Sequence, residues 1–230
     1  MLVDMDGTLL DSEKVWDVAL DDLAGWLGGR LSRAARVAMI GSNLTRSIGV
    51  VHRDLGLNAD PATSAAYLLD RAEALFRTDL VWKPGARELL TDVRAAGVPT
   101  ALVTSTVRRL TDIALDTMGR ELFTVSVCGD EVDRPKPEPD PYLRGAQLLG
   151  VPAAACVAVE DSPTGIASAE AAGCAVIAVP SETAVHPAAG IWVRDTLVGL
   201  TVAELVAFSR TSRAAAGTVE ACHRTPDSGP

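Results

Sequence analysis

The chain has 230 residues, a hydrophobic fraction of 48% and a net charge of −9 at pH 7. This length and composition indicate a globular chain with a substantial core and exclude a disordered or fibrous one. The acidic field carries no Lys/Arg cluster, and no stretch approaches the ~18 apolar residues of a membrane span, so neither nucleic acid nor a membrane is expected as a partner.

The cysteines do not form a CxxC pair. They stand at 128, 156, 174 and 222, and the first three lie in apolar runs. Reduced cysteine packs in such runs as a small hydrophobic side chain. We therefore expect a reducing, cytoplasmic setting.

The chain opens on an apolar strand that ends in two acids, with the sequence LVDMDGT at residues 2–8. Alternation along a strand points Asp4 and Asp6 the same way, and Gly7 lets the chain leave the sheet. Ordinary turn residues would give a similar local pattern. Only three residues precede Asp4, fewer than the usual ~5–6 of a strand, which leaves open whether residues upstream of Met1 are missing.

The next stretch, 13–80, is predicted to be helical. Apolar residues recur at helical spacing around 15–27 and again around 67–76. Trp82-Lys83-Pro84-Gly85 then breaks the pattern, and a helix is predicted over 86–96, ending at Gly97.

Strands and helices alternate after that point. Apolar runs predict strands at 100–104, 124–128, 156–160, 175–179 and 191–193, and helices are predicted at 107–118, 139–149, 164–172 and 202–208. Such alternation predicts an α/β fold, a Rossmann-like parallel sheet core flanked by helices, with an inserted α-helical cap. The predicted domains are a core of 1–12 and 81–210 and a cap of 13–80, followed by a flexible tail of 211–230.

Three further polar segments fall where predicted strands end, which is where open parallel sheets bind ligands. They are Thr104-Ser105-Thr106, then Arg134-Pro135-Lys136-Pro137, and finally Glu160-Asp161-Ser162. The chain has only three lysines, at 14, 83 and 136, which suggests that a compact ammonium is required at 136. A surface lysine and a helix N-terminal cap are the simpler alternatives for the last two segments.

Taken in order, these segments resemble the four motifs of the haloacid dehalogenase superfamily of phosphatases and phosphotransferases. The matching strings are DMDGT at 4–8, ALVT at 101–104, KPEPDP at 136–141 and VEDSPTG at 159–165, and the resemblance runs from Leu2 to about Pro180. It implies a core with a helical cap that covers the site, as in phosphoglycolate phosphatase, sugar-phosphate phosphatases and β-phosphoglucomutase.

The residue chemistry fits such a reaction. A carboxylate can attack phosphorus, and Asp4 is predicted as this nucleophile, with Asp6 as general acid and base. Thr104, Ser105 and Lys136 are predicted to bind the phosphate. Mg²⁺ is the expected cofactor. By the resemblance its ligands are Asp4, Asp6 through its backbone carbonyl, and Asp161, with Glu160 in some members.

The cap is expected to select the substrate. Ser42, Asn43, Arg46 and Trp16 are its candidate contacts, and a solvated capping loop is an equal alternative for the first three. The string DSEKVW at 11–16 most resembles sugar-phosphate phosphatases.

The predicted function is a phosphoric monoester hydrolase for a small phosphorylated metabolite, either a sugar phosphate, a sugar-acid phosphate or a phosphoglycolate-like ester. A small-molecule phosphomonoester is the expected partner, and the expected oligomeric state is a monomer or weak homodimer. A sugar phosphomutase of the β-phosphoglucomutase type and a non-catalytic phosphate-binding regulator stay open as alternatives.

Overall fold

A six-stranded parallel sheet organises the chain. The structure is a computed structural model that describes residues 1–181, 183–188 and 190–222, with side chains described up to residue 212. The strand order is β3-β2-β1-β4-β5-β6, and each described pair of neighbours is parallel. The strands are β1 (Leu2–Val3), β2 (Ala101–Val103), β3 (Val125–Val127), β4 (Val157–Glu160), β5 (Ala175–Ala178) and β6 (Ile191–Val193).

Both faces of this sheet are buried, and the two-residue period of a strand explains how. In β1, Leu2 belongs to one apolar cluster and Val3 to the other. In β4, Ala158 and Val159 divide in the same way, and Leu2 is paired with Ala158 in the register. The continuous apolar runs of the sequence are therefore covered on both sides, as expected for strands of a parallel sheet.

Four helices follow β1 before the chain returns to the sheet. They are α1 (Glu13–Trp26), α2 (Arg33–Met39), α3 (Leu44–Asp54) and α4 (Pro61–Phe76). Side-chain caps start three of them, because Ser32, Asn43 and Asp60 each accept a hydrogen bond from a backbone N–H of the first turn. These helices occupy the stretch for which the sequence predicts the cap, and we refer to them as the cap.

The chain enters and leaves the cap through neighbouring segments. The backbone N–H of Asp11 donates to Val81 O at 2.8 Å, and that of Lys83 donates to Leu9 O at 2.8 Å. This pair of hydrogen bonds joins the two ends of the cap beside the carboxyl end of β1.

Five helices cover the sheet in the rest of the described chain. They are α5 (Ala86–Ala95), α6 (Arg108–Met118), α7 (Asp140–Leu148), α8 (Pro163–Ala171) and α9 (Val202–Cys222). Leu90 of α5 and Leu110 of α6 belong to the apolar cluster that contains Val3, whereas Tyr142 of α7 and Ile166 of α8 belong to the opposite cluster. The sheet is thus sandwiched between two helical layers.

The predicted α/β fold class is confirmed, and the predicted core elements agree with the observed bounds to within one or two residues, apart from the last helix. That helix, predicted over 202–208, continues to Cys222 and so runs into the predicted flexible tail. Residues 223–230 of that tail lie outside the described residues. The division into two domains stays a prediction.

None of the described helices is long and apolar enough to cross a membrane.

Candidate active site

Three carboxylates meet at the carboxyl edge of the sheet. Asp4 directly follows β1, Glu160 ends the adjacent β4, and Asp161 comes next. The Asp4 N–H donates to Val159 O at 3.0 Å, which fixes β1 against β4 at this point. One oxygen from each carboxylate lies within 4.8 Å of the others, and all three side chains are buried. Burying like charges so closely requires a compensating cation.

Lys136 supplies part of that compensation. Its Nζ donates to Asp4 Oδ1 at 2.7 Å, to Glu160 Oε1 at 2.5 Å and to the Val103 carbonyl at 2.9 Å. These bonds use the three donors of an ammonium group, which explains why a buried lysine is tolerated. Lys136 therefore links the ends of β1, β2 and β4.

The charges and burial of this cluster shift its pKa values. Burial raises the pKa of the Asp4 carboxyl well above its usual range, against the lowering effect of Lys136. Burial and then the charge of Glu160 raise the pKa of Asp161 to about 7. Burial alone would lower the pKa of Lys136, but Asp4 and Glu160 keep it above its usual value. Burial is thus the first cause of the raised pKa at both aspartates, and a single buried ammonium, that of Lys136, stands among the three carboxyl groups.

The donor set suits a hard divalent cation such as Mg²⁺, which prefers carboxylate oxygens and water. Asp4 and Asp161 offer such oxygens. Glu160 is more fully engaged, because Oε1 also accepts from Tyr142 Oη at 2.5 Å and Oε2 accepts from the Asp161 N–H at 3.2 Å. Glu160 therefore serves mainly to position the Lys136 ammonium.

Asp6 accepts four hydrogen bonds. Oδ1 accepts from Ser12 Oγ at 2.6 Å and from Trp16 Nε1 at 3.0 Å, and Oδ2 accepts from Thr104 Oγ1 at 3.2 Å and from Thr106 Oγ1 at 2.8 Å. Two of these donors come from the start of the cap and two from the loop after β2. The Asp6 carboxylate is therefore hydrogen-bonded both to the start of α1 and to the loop after β2.

A second bridge joins the start of α1 to Asp161. Ser181 Oγ lies 2.5 Å from Asp161 Oδ2 and 2.5 Å from Glu13 Oε1. Thr8 Oγ1 also contacts Asp161 Oδ1, at 3.4 Å. Both oxygens of Asp161 are thereby oriented by neutral hydroxyls, and a further acid, Glu13, stands beside the cluster.

Two glycines allow the acids to pack this closely. Gly7 has φ +78°, and a Cβ there would lie 2.1 Å from Asp161 Oδ2. A Cβ at Gly165, in α8, would lie 2.0 Å from Glu160 Oε1. No other residue fits at these positions without displacing a carboxylate.

A cavity of about 330 Å³ lies over the acids, and residues of the cap form part of its wall. Its floor includes Asp4, Asp6, Lys136 and Asp161, together with Ser105 of the loop after β2. A Cβ on Gly41 of the α2–α3 loop would lie 3.0 Å from Ser162 Cβ, so this loop packs directly against the core at the cavity edge.

The four predicted cap contacts divide into two groups. Trp16 and Ser42 line the cavity, but Asn43 and Arg46 are not among its lining residues. The Asn43 carboxamide caps α3 by accepting from the Arg46 N–H at 2.9 Å, as the capping alternative expects, and Arg46 is exposed. Their role as substrate contacts stays a prediction. The basic side chain that does line the cavity from the cap is Arg36 of α2.

Thr104, which is predicted to bind the phosphate, is not among the residues that line the cavity. Ser105 and Thr106 line the cavity, whereas Thr104 is buried behind them. The Thr104 hydroxyl donates to Asp6 and accepts from the Thr106 N–H at 3.0 Å, so it is engaged within the protein.

The sequence interpretation named Thr106 in the segment after the second strand but gave it no role, and it missed Glu13, Arg36, Tyr142 and Ser181. A weak signal existed for Glu13, which lies in the string after the first motif. Tyr142 and Ser181 reach the acids through space, and the linear sequence gave no indication of them.

Comparison with known proteins agrees with this site. The haloacid dehalogenase-like hydrolase family matches residues 1–173. The chain is 32% identical to protein CbbY of Rhodobacter capsulatus over 194 residues, covering 79% of this chain and 85% of that protein. It is 35% identical to hexitol phosphatase A of Escherichia coli (strain K12) over 196 residues, covering 79% and 84%.

The fold comparison agrees as well. The crystal structure of CbbY from Rhodobacter sphaeroides in complex with phosphate superposes with a TM-score of 0.80 at 26% identity, over 89% of this chain and 97% of that one. These similarities fit the expected enzyme class, a phosphoric monoester hydrolase. Together with the four acids, the lysine and the helical cap at one sheet edge, they establish that the chain belongs to the haloacid dehalogenase-like hydrolase family.

Proposed function

We propose that this protein is a Mg²⁺-dependent phosphatase that hydrolyses a small phosphorylated metabolite, of the sugar phosphate or phosphoglycolate type, through an aspartyl-phosphate at Asp4. The observation that carries the proposal is the position of Asp4, which lines the cavity under the cap together with Lys136 and Asp161. The phosphatase named among its relatives supports the same reaction class.

The reaction has two steps. A carboxylate oxygen of Asp4 attacks phosphorus, the bond between phosphorus and the ester oxygen breaks, and Asp6 gives its proton to the departing alcohol. Water then attacks phosphorus, Asp6 takes the proton from that water, and the acyl–phosphate bond breaks to release inorganic phosphate and restore Asp4.

Positive charge must offset the incoming phosphate at this acidic site. Lys136 supplies one charge within contact of Asp4, and Ser105 offers a hydroxyl at the cavity floor. Asp4, Asp161 and the Asp6 backbone carbonyl would hold Mg²⁺, with Glu160 nearby to keep Lys136 in place. When bound, Mg²⁺ would neutralise phosphate charge that the acids would otherwise repel.

The cap contributes by covering the reaction. The α2–α3 loop closes over Ser162, and Trp16 from α1 reaches Asp6. The cap wall over the acids would limit access of bulk water to the aspartyl-phosphate until the alcohol has left.

Release of inorganic phosphate from a panel of phosphorylated metabolites, with Mg²⁺ and with excess EDTA, tests the proposal. We expect Mg²⁺-dependent release that disappears in Asp4→Asn, and a fall of roughly 10²–10⁴ in kcat for Asp6→Asn. Release that continues equally in Asp4→Asn would overturn the proposed mechanism. Conversion of a sugar phosphate without net phosphate release would instead identify a phosphomutase.

The covalent step has its own test. Borohydride added during turnover should reduce the acyl phosphate and convert Asp4 to homoserine, which peptide mass spectrometry detects. Absence of homoserine at position 4 during active turnover would argue against Asp4 as nucleophile.

We also propose that the protein acts in the reducing cytoplasm. Cys128, Cys156 and Cys174 support this setting, because all three are buried as free thiols.

A further inference from the structure

The cavity has two chemically different ends. The floor carries the acids and Lys136, whereas the cap contributes mainly apolar walls from residues such as Leu20, Val37, Ile40 and Leu68. Among the described lining residues the basic side chains are Lys136 and Arg36, so Arg36 is the basic side chain available to the part of a substrate that points away from the phosphate.

The charge of Arg36 is already balanced. Its guanidinium forms an ion pair with Asp21 and lies 3.8 Å from Asp17 Oδ1. Asp17 and Asp21 are four residues apart in α1, where like charges repel each other unless a cation stands between them. Arg36 is that cation, and drawing it towards a substrate anion would leave the two acids unpaired.

Asp17, one of the two acids paired with Arg36, also lines the cavity. Asp17 lines the wall beside Arg36, together with Ser42, whose hydroxyl lies 2.6 Å from Ser47 Oγ. A carboxylate or second phosphate on the substrate would face Asp17, and the described residues that line the cavity include no cation that is not already paired with an acid. An uncharged alcohol, in contrast, can donate to Asp17, accept from Arg36 and lay its C–H face on the apolar wall.

We propose that the cap selects phosphate monoesters whose leaving group is an uncharged alcohol, such as a polyol or neutral sugar, and discriminates against esters that carry a second anionic group. The proposal rests on the phosphatase function proposed above and narrows its substrate class. It excludes the phosphoglycolate-like, sugar-acid and bisphosphate esters that the family resemblance leaves open.

Matched substrates that differ only at the end remote from the phosphate test this selection. Sorbitol 6-phosphate and 6-phosphogluconate form one pair, and glycerol 3-phosphate and 3-phosphoglycerate form a second. With Mg²⁺ and the full chain, we expect kcat/KM to favour the neutral member by at least about tenfold in each pair that is hydrolysed, since an unpaired like charge at a binding surface is strongly disfavoured.

A double substitution in the cap tests whether the acids paired with Arg36 cause this preference. Asp17→Asn/Asp21→Asn removes the acids that neutralise Arg36, and should reduce the preference for the neutral member about tenfold. Adding Arg36→Gln to that variant removes the freed cation as well as the two acids, so the preference should lie between that of Asp17→Asn/Asp21→Asn and that of the wild type. Asp22→Asn/Asp92→Asn is the matched control: it removes the same formal charge, with Asp22 paired to Arg71 outside the cavity lining, and should keep the wild-type ratio.

The outcomes separate the two proposals. Equal kcat/KM for neutral and acidic members overturns the leaving-group selection while the phosphatase reaction stands. An unchanged ratio in Asp17→Asn/Asp21→Asn overturns the role of Arg36 neutralisation. No phosphate release from these esters or from p-nitrophenyl phosphate overturns the proposed function together with the selection.

Discussion

The ammonium of Lys136 lies 2.7 Å from Asp4 Oδ1 although the two residues are 132 positions apart. The contact exists because β1 and β2 are neighbours in the sheet, and Lys136 also reaches the Val103 carbonyl at the end of β2. The Lys136 ammonium thus connects the carboxyl ends of β1, β2 and β4, next to which the acids lie.

Replacing Lys136 with Met should therefore cost both stability and activity. The substitution leaves the buried Asp4 and Glu160 carboxylates without their cation, and breaking a buried pair from one side costs about 3–5 kcal/mol. Urea unfolding at neutral pH measures this loss. The matched control is Arg134→Met, because the Arg134 side chain is 63% exposed and a solvent-exposed pair such as its pair with Asp140 contributes little to stability.

A loss for Lys136→Met no larger than that for Arg134→Met would contradict the buried ion-pair account. If Lys136→Met fails to fold, Lys136→Arg supplies the test, since it keeps the charge but does not fit a compact three-donor site, and it should lose activity while remaining folded.

Tyr142→Phe should weaken the same cluster by removing one donor. The hydroxyl of this buried tyrosine donates to Glu160 Oε1 at 2.5 Å. Leaving a buried charged acceptor short of one donor costs about 1–3 kcal/mol. Thermal and urea unfolding of the variant measure this cost, with Tyr67→Phe as control because the Tyr67 ring stacks on Trp26 in the cap. Equal stability of the two variants would show that Glu160 does not depend on the hydroxyl.

Gly165→Ala tests the close packing behind Glu160. A Cβ at this position would lie 2.0 Å from Glu160 Oε1, so the carboxylate must move and release Lys136. We expect a marked loss of stability and of phosphate release. Gly25→Ala, in α1, has open space around the added methyl group and should be neutral or stabilise by up to about 1 kcal/mol. A fully active Gly165→Ala would mean that Glu160 need not stay in place.

The sequence was sufficient for the sheet and for the residues at its carboxyl edge. The strands are buried on both faces, so their apolar runs identify them, and parallel strands necessarily bring their ends to one edge. The proximity of Asp4 and Asp161 follows from that geometry, whereas Lys136 lies in the loop between β3 and α7 and is assigned to this site from the motif resemblance. The late helix is the exception, because the Ala-rich, polar composition after residue 208 fits a helix as well as a tail.

The cap could not be predicted to the same depth. Helical periodicity gives the helices but not their rotation and packing, and these decide whether Arg36 or Arg46 faces the cavity. Asn43 illustrates the difficulty, since one polar residue before a helix can serve as a cap or as a substrate contact. The hydrogen bonds of Ser181 and Tyr142 depend on tertiary packing alone.

Trp16→Phe should slow catalysis by changing how Asp6 is held. The indole Nε1 donates to Asp6 Oδ1 at 3.0 Å, and the ring meets Phe76 edge to face with centroids 5.6 Å apart. Phenylalanine keeps an aromatic ring on Phe76 but loses the donor, so one hydrogen bond between the cap and Asp6, the proposed general acid and base, disappears. We expect kcat for phosphate release to fall about tenfold, in the range of a lost hydrogen bond to a charged group, while the melting temperature changes little.

Trp26→Phe, at a half-exposed position on the same helix, is the control and should retain wild-type kcat. A Trp16→Phe enzyme with wild-type kcat and a raised KM would instead assign the indole to substrate binding, as its place on the cavity wall first suggests.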